Sequence, residues 1–311
     1  MAWFRAKAAA GDSWTSVRIS SGRVDIAEVS PPAAGARPAV RSWESFAVDR
    51  LDAMALKRLR GRIRGRCTLL LNHGQYQILQ TDAPAVPREE MADALRWRVK
   101  DMVDFPVDQA GIDVLPIPAD GAPGRAAQVF VVAASHAVLT PAVRLFQDAG
   151  IALEAIDIPE LAQRNVAALF ETERRGLAML AFDELGGRLT FTYGGELYVT
   201  RHIEATATEL ARAADATAGG LYERVLLDVQ RSMDNFDRNY NAITLSKLLV
   251  APIPGAAGFI DYLKANLYQP VEALDLTAGL DIAQVPAVAA PARQAQALLA
   301  IGAALRQEGV A

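Results

Sequence analysis

Few side chains in this sequence are spaced to do chemistry. The three histidines, His73, His136 and His202, are isolated and lack metal-ligand spacing. They read as structural or surface groups. The single cysteine, Cys67, lies in the apolar run Cys67-Thr68-Leu69-Leu70-Leu71. There it reads as a small core residue, because a reactive thiol needs exposure and a basic neighbour. No G-x-S-x-G, P-loop or dinucleotide fingerprint is present. What stands out is an aromatic among charges. In Arg88–Asp104, helical spacing sets Trp97 beside Asp93, Lys100, Asp101 and Asp104, away from the apolar stripe. Two readings are open. Trp97 packs against a neighbouring element while Asp101 and Asp104 are surface charges. Alternatively, the aromatic and the two carboxylates receive a basic, apolar peptide, since Trp is enriched at interfaces.

The element that positions these residues is predicted as one helix over Arg88–Asp104. Pro87 precedes it, where a missing N–H costs least, and Glu89 and Glu90 favour its positive end. Met91, Leu95, Val99 and Met102 form the buried stripe. Phe105-Pro106 ends it, because a residue before proline leaves the α region.

The surrounding composition is that of an ordinary globular chain of about two domains: 311 residues, 51% hydrophobic and 22% charged. A net charge of -4 argues against a nucleic-acid surface. One local exception is Lys57–Arg66, with six Lys/Arg in ten residues. It reads as a solvated face, with anionic lipid or RNA as the alternative ligand. The first twelve residues lack the apolar core of a signal peptide, and no run of about 20 apolar residues occurs. A cytoplasmic protein is expected, reaching a membrane only through another chain.

Along the chain, Trp14–Ser20 and Arg23–Val29 alternate around Ser21-Gly22, predicting a β-hairpin, with Val40–Val48 as a third strand. Leu51–Arg62 reads as a helix. Arg66–Asn72, Tyr76–Gln80, Gly111–Leu115, Ala126–Ala134 and Ile151–Ile156 read as strands, and His136–Ala149 and Pro159–Arg174 as helices, the latter with Asp157 as N-cap. The opening pattern then returns. Leu177–Phe182, Arg188–Tyr193 and Glu196–His202 are strands separated by Gly186-Gly187 and Gly194-Gly195. Two three-strand meanders, each opening half of the chain, predict a duplicated domain. In Glu223–Tyr240, Val225, Val229, Met233, Phe236 and Tyr240 share one helical face. Lys247–Ala251 and Pro270–Leu274 read as strands around the helix Ala256–Leu267. Asp275–Pro291 reads as irregular, and Ala292–Gln307 as a closing helix.

Several of these segments carry a family resemblance. They are the proline-flanked helix with Arg96-Trp97, the run Asp104-Phe105-Pro106-Val107-Asp108 and the strand after it. Asp157–Asn165 (D-I-P-E-L-A-Q-R-N), Arg188–Ile203, Gln230–Phe236 (Q-R-S-M-D-N-F) and the closing A-I-G-A-A-L-R complete the set. Together they resemble the PilM family of type IV pilus assembly proteins, most nearly its MshI branch from the mannose-sensitive haemagglutinin (MSHA) pilus. The resemblance covers nearly the whole chain, and its motifs are specific as a set rather than singly. It implies an α/β fold of the duplicated actin/hexokinase type with an inserted extra subdomain. Residues 1–83 would then open domain I, 84–156 form the insertion and 157–176 return to domain I. Residues 177–291 would form domain II, with a helical insert at about 204–246, and 292–311 the closing helix.

The same resemblance supplies functional expectations. Actin-like proteins hold Mg-ATP between their halves on two Asp-x-Gly loops and a third, glycine-rich one. Here the first loop reads Arg18-Ile19-Ser20 and the second Ala181-Phe182-Asp183, while the third carries Pro252 and Pro254. Arg18 brings a cation to the Mg²⁺ position, Ser20 adds a Cβ where close approach is wanted, and prolines remove backbone donors. Asp183 is a candidate shifted acid. The nucleotide site is therefore expected to be degenerate and the protein not to be an enzyme. No cofactor is expected, although residual ATP or ADP binding stays open. PilM-like proteins bind the short cytoplasmic tail of a PilN-like bitopic inner-membrane protein, between the first subdomain and the inserted one. The resemblance thus implies that partner, with pilus motor or platform components as further candidates. Trp97, Asp101 and Asp104 are its candidate contacts. The alternative is an active actin-like ATPase or kinase-like enzyme using the inter-domain cleft.

Overall fold

The computed structural model describes residues 13–20, 22–119, 126–215 and 219–307. Ser21 of the first expected turn, the twelve N-terminal residues and the last four of the closing segment lie outside them.

The chain opens with strands β1 (Trp14–Ser20), β2 (Arg23–Ser30) and β3 (Ala39–Ala47). Gly22 turns the first hairpin with a φ of 71°, a conformation that side chains other than glycine's rarely tolerate. Helix α1 (Ala53–Leu59), capped by the Asp52 carboxylate on the Ala55 N–H, crosses over to β4 (Arg66–Leu70), parallel to β1. The chain then leaves this sheet. Strand β5 (Gln77–Asp82), helix α2 (Met91–Arg98), β6 (Ala110–Ile117) and β7 (Gln128–Ser135) follow. Their three strands form a separate antiparallel sheet in the order β5-β7-β6. Along β7 the side chains alternate. Val129, Val131 and Ala133 pack with Leu95 and Val99, whereas Phe130, Val132 and Ala134 face the main core. Helix α3 (His136–Asp148) and the short strand β8 (Ala155–Asp157) return the chain to β4.

Helix α4 (Pro159–Ala167) leads into the second half, β9 (Gly176–Asp183), β10 (Gly186–Tyr193) and β11 (Glu196–Ile203). Helices α5 (Ala207–Asp215) and α6 (Gly219–Asn239) precede β12 (Leu245–Val250), α7 (Ala257–Asn266) and β13 (Val271–Ala273). The two large sheets share one topology, β3-β2-β1-β4-β8 and β11-β10-β9-β12-β13. In each, the first three strands run antiparallel and the last two parallel to the first. The duplication expected from the meanders is thus present in full. A short helix α8 (Leu276–Gly279) and the closing helix α9 (Pro291–Ala304) end the fold.

Helices α4 and α9 lie between the two large sheets. Ala27, Val29 and Val40 from one and Leu177, Met179 and Leu249 from the other close on Val166, Ala297 and Ile301. Gly302 permits this closeness, because a Cβ there would stand 2.2 Å from the Ala162 carbonyl oxygen. On the outer face of the second sheet, Val225, Val229 and Phe236 of α6 are buried, with Phe236 stacked on Phe191 at 4.9 Å.

Four expectations need correction. The helix predicted over Arg88–Asp104 is a 3₁₀ turn, Arg88–Glu90, followed by α2, which stops at Arg98. Gln77 captures both the backbone N–H and the carboxylate of Asp104, which draws that stretch away from the helix axis; Met102 stays exposed. The helix expected to Arg174 ends at Ala167, after which Leu169 and Phe170 turn inward and Arg174 takes a left-handed φ of 58°. Its N-cap is Ile158, and Asp157 instead accepts from Arg306 at 3.1 Å. Asp275–Pro291 is not irregular throughout: it contains α8 and a 3₁₀ turn, Pro286–Ala289, with Leu276, Leu280 and Val288 buried. The expected borders of the insertion also move. Gln77–Asp82 pairs with β7 rather than with the first sheet, and Ala155–Asp157 pairs with β4.

Candidate functional site

Two regions collect polar groups that the fold brings together: the cleft where the halves meet, and a groove on the inserted sheet. In the cleft, Arg18 near the end of β1 meets Asp183 at the end of β9. The guanidinium donates to the Asp183 carboxylate at 3.0 Å, lies 3.5 Å from Glu184, and reaches the Asn72 side-chain oxygen at 3.3 Å. Arg188 of β10 stands 4.0 Å from Asp183 and 3.8 Å from Glu160 of α4. The Tyr76 hydroxyl donates to the other Glu160 oxygen. Burial first, and then the Glu160 charge, push the Tyr76 phenol well above its ordinary value, so it keeps the proton it donates. Arg18, Arg188 and Glu160 are all buried.

This network joins the two stretches, around Arg18 and around Asp183, that the family resemblance assigns to facing loops. Asp183, the candidate shifted acid, is held by two guanidinium groups and by the Leu185 N–H. Arg18 has its charge met from within the chain. Ala181 is buried in the core, Ser20 ends β1, and Pro252 lies in the loop between β12 and α7. What the arrangement does chemically is neutralise charge across the cleft and hold the halves together. Asp157–Asn165 serves the same end: Gln163 donates to the Met179 carbonyl at 2.8 Å and the Thr190 hydroxyl at 3.0 Å, and Asn165 donates to the Gly302 carbonyl at 2.9 Å.

Beside the cleft, His73 and His202 stack with ring centroids 3.7 Å apart, planes inclined by 5°. Loss of water, then His73, then Arg188 hold His202 below its ordinary value. Gly186, with a φ of 138°, makes room for this ring; a Cβ there would come within 2.4 Å of it.

The groove, of about 700 Å³, runs between α2 and β6. Met91, Ala92, Ile112, Val114 and Val129 give it apolar walls, and Glu89, Asp93, Asp108 and Asp113 carry acids around it; Arg88 and Arg96 are its arginines. Burial raises the Asp113 carboxyl above its usual range, opposed by the Val114 N–H and by Arg306 and Arg88. Strand β6 pairs only with β7 among the described residues, so its outer edge opens on this side.

The sequence-predicted contacts do not line this groove. Trp97 stands on the outward side of α2, 68% exposed, with the Lys100 ammonium 6.0 Å from its ring centroid. The reading in which it packs against a neighbouring element is therefore excluded. Asp101 is exposed, and Asp104 is engaged by Gln77 at 2.7 Å. Sequence reasoning missed Ile112, Asp113 and Val114. Their only signal was that the strand following Pro106 mixes an acid into an apolar run. Cys67 is buried as expected, and burial, reinforced by Glu154, pushes its thiol up to about 12. We expect no labelling of native protein by a thiol reagent near neutral pH, and one equivalent after unfolding; rapid native labelling would show that β4 opens.

Among the described residues no helix is long and apolar enough to cross a membrane. No protein-family model matches the sequence. No curated protein matches it either. Among solved structures, one of a PilM–PilN type IV pilus biogenesis complex aligns with a TM-score of 0.70 at 18% identity, covering 93% of this chain and 98% of that one. A Bacteroides thetaiotaomicron protein of unknown function with an actin-like ATPase fold aligns with a TM-score of 0.50 at 7% identity, over 84% and 90% of the two chains. The cytoplasmic domain of EpsL, an inner membrane component of the Vibrio cholerae type II secretion system, aligns with a TM-score of 0.47 at 14% identity, over 95% and 96%. The chain therefore has an actin-like fold of the PilM kind.

Proposed function

We propose that this protein is a non-catalytic scaffold of a type IV pilus assembly machine, of the MSHA type by its sequence motifs. It docks the cytoplasmic tail of a PilN-like inner-membrane protein, and that partner holds it at the membrane from the cytoplasmic side. The observation that carries the reading is the groove between α2 and the open edge of β6. A short apolar tail with a basic residue meets apolar walls and four carboxylates there, and β6 offers backbone partners to an extended segment. One solved fold neighbour is itself a PilM–PilN complex. The cleft supports the same reading from the other side, since Arg18 and Arg188 already neutralise Asp183.

The test pairs two assays on the full chain. Immobilised N-terminal tails of candidate PilN-like partners are expected to retain the protein, while scrambled tails are not. Mg-ATP hydrolysis is expected to stay at background. Turnover abolished by Asp183→Ala would replace the scaffold with an enzyme, and failure of every tail would remove the partner assignment.

A further inference from the structure

The run Lys57–Arg66 has no part in the groove or the cleft, and the structure shows what becomes of its six cations. Arg66 is buried and paired with Glu154 at 2.6 Å, and Arg62 meets Glu44 at 2.9 Å. The other four, Lys57, Arg58, Arg60 and Arg64, are exposed, and among the described residues none has a carboxylate partner. They follow one another from the last turn of α1 through the 3₁₀ turn Arg60–Arg62 to the loop before β4. Asp49 and Asp52 are the acids nearest in the chain, and Asp52 is occupied as the α1 cap. Met54, 63% exposed, stands three and four residues before Lys57 and Arg58, so helical spacing puts an apolar side chain on the same face as two cations.

We propose that this face is a membrane-contact surface that binds anionic phospholipid headgroups. The chemistry is that of a small basic patch with one exposed apolar side chain beside it. Clustered Lys/Arg gain from the negative surface potential of an anionic leaflet, and Met54 can enter the headgroup layer as the apolar part of an interfacial helix does. The chain's net charge of -4 favours a flat surface, which meets one face while the acidic remainder stays beyond a screening length. Single-stranded RNA would seek aromatic stacking platforms, and Lys57–Arg66 contains no aromatic residue. The inference stands independently of partner docking, since the patch lies on α1 and the groove on α2 and β6.

The experiment is co-sedimentation of the full chain with vesicles at about 0.1 M salt, where the screening length is about 10 Å. Vesicles of phosphatidylcholine with one third phosphatidylglycerol are expected to pellet the protein, and pure phosphatidylcholine vesicles to leave it in solution. The combined variant K57Q/R58Q/R60Q/R64Q should bind the anionic vesicles about a thousandfold more weakly, with an unchanged melting temperature because all four side chains are exposed. R58K/R60K/R64K should bind like the wild type. The proposal is overturned if anionic vesicles do not pellet the wild type, or if the glutamine variant binds as the wild type does. It is equally overturned if an RNA oligonucleotide binds more tightly than the vesicles at the same salt through the same four residues.

Discussion

Arg18→Ala is expected to destabilise the protein by about 3–5 kcal/mol, because it strands carboxylates at a buried junction. The Arg18 side chain is 4% exposed and Asp183 14%. With the guanidinium removed, Asp183 keeps the Leu185 N–H but only the distant Arg188, at 4.0 Å, as a charged partner, and Glu184 keeps Arg23 at 3.7 Å. The loss is attributable to uncompensated charge rather than to the worth of the pair, so a matched control is decisive. Arg18→Met combined with Asp183→Leu removes both charges and fills similar volume, and should restore most of the stability, since buried pairs often exchange for apolar ones without loss. Urea unfolding of the three proteins gives the comparison. A loss below about 1 kcal/mol, the range of exposed pairs, would mean that the cleft is hydrated and that Arg18 does not hold it.

The second large effect belongs to the groove. Val114→Arg places a long cation on a half-buried edge-strand position that lines it. It should cost the tail at least about 2 kcal/mol of binding, the range of interface anchors, while β6 keeps its pairing to β7. Trp97→Ala is expected to behave differently. Its side chain is exposed and outside the groove, so affinity should fall by well under about 1 kcal/mol, as for a rim contact, with little change in melting temperature. A loss from Trp97→Ala equal to that from Val114→Arg would move the docking surface to the outward side of α2.

Much of this fold could be read from the residues, because its signals are local. Alternation around Gly186-Gly187 and Gly194-Gly195 gave the second meander, and the spacing from Val225 to Tyr240 gave the buried face of α6. What misled were helix ends. The stripe Met91, Leu95, Val99 is helical in pattern, yet the chain departs after Arg98 because Gln77, from another strand, claims Asp104. The site was less legible. Arg18 and Asp183 were each conspicuous, but their pairing joins residues 165 positions apart, and no local pattern encodes it. The groove likewise exists only once β6 is an edge and α2 lies over the sheet.

Calorimetric titration of a PilN-like tail into the wild-type protein, without nucleotide and then with excess Mg-ATP, tests the scaffold reading most directly. If the protein is the scaffold proposed, with Asp183 already paired to Arg18 across the cleft, equal affinity is expected in both titrations. Binding seen only with Mg-ATP, or weakened severalfold by it, would contradict a closed, non-catalytic cleft and return the protein to the nucleotide-driven members of its fold.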